Sequence, residues 1–176
     1  MCSSDLLFLI QAGVSVHIGA FFQDQGLSLT LVATAITING IVNAIGSLVW
    51  GATIERIPVR WAMGILMVIT AGSTIALLAV HSITTAFIVS AIIGIVGSGG
   101  NVIPPVAYAS YFGRRSIGNI RGVGETVVQI GQTMGPVLSG LAFDINGSYQ
   151  VAFLTFAALA LIGAGLIVFS KPPKAL

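Results

Sequence analysis

The chain has 176 residues, of which 56% are hydrophobic and 7% charged, with seven Lys or Arg, five Asp or Glu and a formal net charge of +2. A water-soluble domain carries about a quarter of its residues as charges, and at this length a fold so poor in them would bare large apolar patches to water, so the expected solvent is lipid. The small positive excess, with no basic stripe, excludes nucleic acid as a partner, and a single cysteine, Cys2, excludes a disulfide framework within the chain.

A helix needs roughly 20 apolar residues to cross the hydrocarbon core. On that scale the sequence predicts six spans, at about 6–22, 29–50, 61–80, 83–109, 120–143 and 151–169, joined by short polar connectors. The alternation of membrane β-strands is absent. The expectation is an all-α membrane protein: residues 1–176 as one six-transmembrane-helix bundle. The first run has no Lys or Arg before it and no small-residue cleavage site, so it reads as a span rather than a signal peptide. Near its outer end lies His17. Imidazole changes charge readily around neutral pH, so His17 is either an interfacial side chain or a proton-coupling group.

In the second run Asn39, Asn43 and Ser47 recur every four residues and share one helix face. Polar groups in hydrocarbon must face protein or a water-filled cavity, which leaves interhelical hydrogen bonding or a cavity wall. The connector that follows, GATIERIPVRW, gathers three ions, Glu55, Arg56 and Arg60, in six positions.

The fourth run contains GIVGSGGNVIPPVAYASY, where Gly97, Gly99, Gly100, Pro104 and Pro105 would interrupt a soluble helix. Irregular backbone at membrane depth survives only against protein or a water-lined cavity. The segment predicts a discontinuous helix near the midplane, a pointer to a transport site, with Asn101 as a solute-contacting side chain; a kinked packing helix is the plainer alternative. In the fifth run Glu125, Gln129 and Gln132 form a second stripe at i, i+4 and i+7. Glu125 follows Arg121 by four residues near the helix start, where the helix dipole stabilises a carboxylate; proton coupling is its other possible role.

All seven basic residues, Arg56, Arg60, Arg114, Arg115, Arg121, Lys171 and Lys174, fall on one side of a six-span topology, and Asp24, His81 and Asp144 on the other. The positive-inside rule then puts both termini in the cytoplasm, as expected of an integral protein of the plasma (inner) membrane. There is no nucleophile–base pair, cluster of metal ligands or phosphate-cradling loop, so neither an enzyme, a metal site nor a cofactor is expected.

At the second connector the sequence resembles the major facilitator superfamily, whose loop between the second and third helices reads Gly-x-x-x-Asp-Arg-x-Gly-Arg-Arg, with a weaker copy between the eighth and ninth. Gly51, Glu55, Arg56 and Arg60 fall on that pattern, while Glu replaces Asp, Pro58 replaces Gly and Val59 replaces Arg. These departures make a degenerate copy, as in the second-half loop. GQTMGPVLSG is similar to the Gly-x-x-x-Gly-Pro element of the fifth and eleventh helices (Gly131, Gly135, Pro136). YFGRRSIGNIRG followed by GPVLSGLAFDINGSYQVAF resembles the tenth-to-twelfth helix region of the monocarboxylate and oxalate–formate antiporter-like branch.

The resemblance implies half of a superfamily fold, the carboxy-terminal six helices of a secondary transporter that moves a small solute by alternating access. An N-terminal half would lie outside this chain. The residues expected to line the path are Asn39, Asn43, Asn101, Gln129 and Gln132. Gly131, Gly135, Pro136, Pro104 and Pro105 would set helix packing and bending, and His17 and Glu125 are the candidates for proton coupling. The resemblance also implies that Glu55 closes a cytoplasmic gate against a helix N-terminus of the opposite half. Carboxylate transporters of this branch anchor the anion on Arg or Lys inside the eighth or eleventh helix, and the spans here have neither beyond Arg121, at the very edge of the fifth. The anchor then lies in the other half, or the solute is not a simple carboxylate. Two other readings remain: a complete half-size transporter working as a homodimer, and a membrane scaffold whose stripes only join helices.

Overall fold

A computed structural model describes residues 2–112 and 117–169; four of the basic residues used for orientation, Arg114, Arg115, Lys171 and Lys174, lie outside them. The described residues form six α-helices and no strand: α1 (Cys2–Asp24), α2 (Leu29–Ile54), α3 (Val59–Leu77), α4 (Ile83–Phe112), α5 (Ile117–Asn146) and α6 (Gln150–Phe169). Five are long and apolar enough to cross a membrane. The exception, α5, has 30 residues and falls short on composition alone, because Glu125, Gln129 and Gln132 dilute its apolar side chains. Most helices overrun the apolar runs by a turn or less, since the backbone stays helical into the headgroup layer. α3 ends earlier than the apolar run suggests: Leu78, Ala79 and Val80 N–H bond three residues back, to Ile75, Ala76 and Leu77 carbonyls at 3.0–3.1 Å, a tightening that closes the helix.

Three pairs, α1 with α5, α2 with α4 and α3 with α6, make the most extensive contacts. Exchanging α1–α3 for α4–α6 maps this pattern onto itself. The bundle is therefore built from two three-helix repeats, and an odd number of spans per repeat gives them opposite topology. Leu7, Ile10, Phe22, Leu66, Met67 and Phe153 are fully buried at the core of α1, α3 and α6.

Lipid is as apolar as leucine, so helices in it are held by close packing and hydrogen bonds rather than by the hydrophobic effect. The α1/α5 seam shows how. Gly135 lies directly against the Leu9 backbone carbonyl, and a Cβ there would also stand 2.9 Å from Gly13 N. Ser139 Oγ, one turn on, donates to Gly13 O at 3.2 Å. At the α2/α4 seam Asn39 Nδ2 donates to Ser90 O at 3.1 Å and Trp50 Nε1 to Ile95 O at 3.0 Å.

The expected break in the fourth span is absent: α4 is one continuous helix from Ile83 to Phe112, with Pro104 and Pro105 inside it. Its glycines serve close packing instead. Gly97 receives the amides of Asn43 and Gln11, and Gly99 receives the Trp50 indole, with Nε1 2.9 Å from where a Cβ would sit.

Replacing Gly135 by Ala is expected to cost about 1–3 kcal/mol through overpacking against rigid backbone. Gly72→Ala, where a Cβ meets nothing within 4 Å, is expected to be neutral. Thermal melting of both variants in detergent checks this; equal melting temperatures would mean that the seam does not hold the bundle.

Candidate functional site

α1 and α4 each pack tightly on another helix and touch one another only slightly. Between them runs a groove of three recesses. At the end where α4 stops and α5 begins, about 200 Å3 is lined by Phe8, Gly100, Asn101, Pro104, Pro105, Tyr108, Glu125, Val128 and Gln132. A second recess of about 180 Å3 shares Phe8, Asn101 and Gln132 with it and adds Gln11, Ala12 and Ser15. A third, about 120 Å3, shares Ser15 and adds Ile18, Ile36, Asn39, Ser90 and Ile93. The shared residues link the three into one track through an apolar bundle.

Of the residues expected on the path, Asn101 and Gln132 meet here, with Glu125 beside them. Asn39 lines the third recess, but its amide N–H is held by the Ser90 carbonyl. Asn43 sits at the α2/α4 seam over Gly97, and Ser47 Oγ bonds back to Asn43 O at 3.0 Å within its own helix. The α2 stripe is thus largely used to join helices. Gln129 is exposed and lines none of the three recesses.

Sequence reasoning missed Gln11, Ser15, Ser90 and Tyr108. Among the described residues Gln11 Oε1, Ser90 Oγ and Tyr108 OH are buried with no hydrogen-bond partner. An unpaired buried polar atom costs about 1–3 kcal/mol, and all three belong to groove-lining residues. The one available signal was the i, i+4 spacing of Gln11 and Ser15 in an otherwise apolar run.

The prolines contribute as well. Proline has no N–H to give the carbonyl one turn back. Pro104, Pro105 and Pro136 therefore leave the carbonyls of Gly100, Asn101 and Gln132 without their usual helical partner, and all three of those residues line the groove. Free carbonyls survive at membrane depth where a polar cavity satisfies them. The groove thus offers amides, hydroxyls and carbonyls, and among the described residues its titratable lining groups are Glu125 and Tyr108, with no Lys or Arg.

His17 lies elsewhere, in a three-way clamp. Its Nε2 is 3.0 Å from Pro136 O and its Nδ1 is 3.2 Å from Tyr149 OH. A carbonyl only accepts, so Nε2 carries a proton, and in that tautomer Nδ1 accepts from the phenol. Burial pushes the Tyr149 phenol above its ordinary value, and the carboxylates of Asp24 and Asp144 push it further the same way; the hydroxyl keeps its proton. The clamp joins α1, α5 and the start of α6.

Residues 6–176 match the family model of the Major Facilitator Superfamily. The chain belongs to that superfamily. Its relatives include monocarboxylate transporter 13 of Rattus norvegicus, 26% identical over 157 residues, which covers 87% of this chain and 36% of that protein. The chain thus spans about a third of the length of this curated relative. An integral membrane protein follows from the superfamily and from the five apolar helices together.

The stretch that resembles the superfamily loop, from Gly51 to Arg60, runs from the end of α2 to the start of α3. Glu55 is the C-cap of α2 and is exposed. A carboxylate at a helix C-terminus faces the negative end of the dipole, an unfavourable place for it within this chain. Gly51 has open space where a Cβ would stand. Arg56 is exposed, and Arg60 Cζ lies 5.5 Å from the centre of the Trp61 ring, in reach of a cation–π contact.

The clamp gives a direct test. Tyr149→Phe removes the donor to His17 Nδ1 and keeps the aromatic packing, so it should cost about 1 kcal/mol of stability, read by thermal melting in detergent. No loss would mean that the hydrogen bond does not fasten α6.

Proposed function

We propose that this chain is the carboxy-terminal six-helix half of a secondary transporter that moves a small polar solute by alternating access, without catalysis. The observation that carries the reading is the groove: Gln11, Asn101, Tyr108, Glu125 and Gln132 converge on open space inside a largely apolar bundle. Asn101 and Gln132 offer amide donors and acceptors to the solute, and the carbonyls freed by Pro104, Pro105 and Pro136 add acceptors. Of the two coupling candidates Glu125 faces the groove, while His17 is held in its clamp. Glu125 is therefore the group that would exchange a proton with the transport cycle.

The name of the rat relative points to monocarboxylates. With no cation among the described residues of its wall, this half would supply hydrogen bonds to such a solute, and the anion anchor would fall to the other half. The exposed apolar faces of α2 (Ile41, Leu48) and α5 (Ile130, Val137, Leu141) belong to the two helices that pack beside α4 and α1, and they suit a second six-helix unit. That unit is the N-terminal half on the present reading; a second copy of this chain is the alternative these faces also fit. The basic connector between α2 and α3 faces the cytoplasm on this reading, together with both termini, in the plasma (inner) membrane.

Uptake by the complete protein in vesicles tests the groove. Asn101→Ala and Gln132→Ala should each lower uptake efficiency by up to about tenfold, the worth of one lost hydrogen bond, while Glu125→Gln should remove any dependence on a proton gradient. Unaltered uptake in Asn101→Ala and Gln132→Ala alike would sink the assignment.

In the same reading Glu55 meets a helix N-terminus of the opposite half and closes the cytoplasmic side. Such a contact is worth about 0.3–1 kcal/mol, small enough to break and remake in every cycle. Glu55→Gln should move the inward/outward balance by roughly two- to fivefold and leave solute binding intact, as measured by thiol accessibility from either side. An unchanged balance would refute the latch.

A further inference from the structure

A recess of opposite chemistry lies on another face of the bundle. α2 and α3 barely touch, yet both pack along α4, so they form a V with α4 as its floor. The space measures about 330 Å3, and its walls are Val42, Ile45, Val49 and Trp50 of α2, Ile65 of α3 and Ile95 of α4. The polar groups in the wall are already used: Trp50 Nε1 donates to Ile95 O at 3.0 Å and Thr53 Oγ1 to Val49 O at 2.7 Å. What remains is an apolar slot with no donor to offer a polar solute.

Both walls lead to a cation at the same end. On α2 the lining positions 42, 45, 49 and 53 recur at helical spacing and run toward the connector that carries Arg56, two residues beyond the helix end. On α3 Trp61 stands one turn before Ile65, with the Arg60 guanidinium over its ring. Neither arginine has a carboxylate partner among the described residues; Glu55, beside Arg56, is exposed and unpaired as well. The repeat-related corner, between α5 and α6 over α1, differs on both counts. It is filled by stacked Phe143 and Tyr149, 4.5 Å apart, and by Tyr149 on Phe153 at 5.8 Å, and the last turn of α5 there carries Asp144, with no Lys or Arg from it to the start of α6.

We propose that the α2/α3 recess binds an anionic phospholipid, with one acyl chain along the V and its phosphate held by Arg56 and Arg60. Basic positions beside a gap between membrane helices select anionic headgroups, and indole rings such as Trp61 settle at the headgroup level. The slot distinguishes this lipid from the surrounding ones: it holds a chain against three helices, and the two arginines select the charge. The inference does not rest on the reading of the polar groove.

The test uses the purified full chain in mixed micelles with a phosphatidylglycerol that bears a photoactivatable diazirine on its acyl chain, and maps the adducts by mass spectrometry. Adducts should concentrate on the peptides of positions 42–53 and 61–65. Unlabelled phosphatidylglycerol should compete about tenfold or more better than phosphatidylcholine. In R56Q/R60Q the two competitors should become equal. V49W, which keeps both arginines and fills the slot, should lose the adducts and serves if the double variant does not fold. Adducts spread evenly over the lipid-facing helices, equal competition in the wild type, a preference that survives R56Q/R60Q, or adducts that persist in V49W would each overturn the proposal. Adducts missing because a second copy or another protein covers the recess would overturn it too.

Discussion

Hydrocarbon withholds two things that water provides: a hydrogen-bond partner for every stray polar group, and a reason for apolar surfaces to leave the solvent. Helices in lipid must therefore satisfy their own backbones and hold one another by close contact. In this chain the contact reaches the backbone of the neighbouring helix at two repeat-related seams. Gly135 against the Leu9 carbonyl secures α5 to α1, and Asn39 and Trp50 bonded to α4 carbonyls secure α2 to α4. The polar groove follows from the seams. α1 and α4 are each committed to an outer partner, so they cannot also close on one another, and the space left between them is where the polar side chains of α1, α4 and α5 collect.

The helices were legible because hydropathy reports what must cross the hydrocarbon, and few polar residues interrupt the runs. Their ends were less legible: apolar length marks the lipid core, whereas hydrogen bonding carries α4 to Phe112 and α5 to Asn146. The misreading of α4 has a clear cause. Gly97, Gly99 and Gly100 with Pro104 and Pro105 have low intrinsic helix preference, but in lipid an unpaired backbone group is so costly that helix persists, and small residues mark packing instead. Only the partners, Asn43, Gln11 and Trp50, reveal that role, and they lie in other helices. The site was legible where polarity was periodic, as for Gln132, or embedded in unusual sequence, as for Asn101. Gln11 and Tyr108 stand nearly alone among apolar neighbours, and only the three-dimensional packing brings them to the groove. The reverse held for Asn43: a periodic stripe pointed to a cavity, and the structure puts the side chain at a seam.

Two cavities thus share one small bundle and differ in chemistry. The groove has hydrogen-bonding walls and a carboxylate; the α2/α3 recess is apolar, and the connector between its two outer helices carries Arg56, with Arg60 at the start of α3. Their walls meet on α2 and α4, where Asn39 borders one and Val42 the other, less than a turn apart. A lipid seated in the recess would bear on the helix whose connector carries Glu55, so headgroup chemistry and gating would act on the same segment of chain.

The central claim is that the groove is lined with water rather than with packed side chains or lipid. The most direct measurement is thiol labelling in membranes. On a Cys2→Ser background, Asn101→Cys is compared with Ile162→Cys, whose side chain is 58% exposed on the apolar α6. A membrane-impermeant charged thiol reagent should modify position 101 readily and position 162 hardly at all, since thiolate chemistry needs water. Labelling of position 101 as slow as that of position 162 would contradict the account.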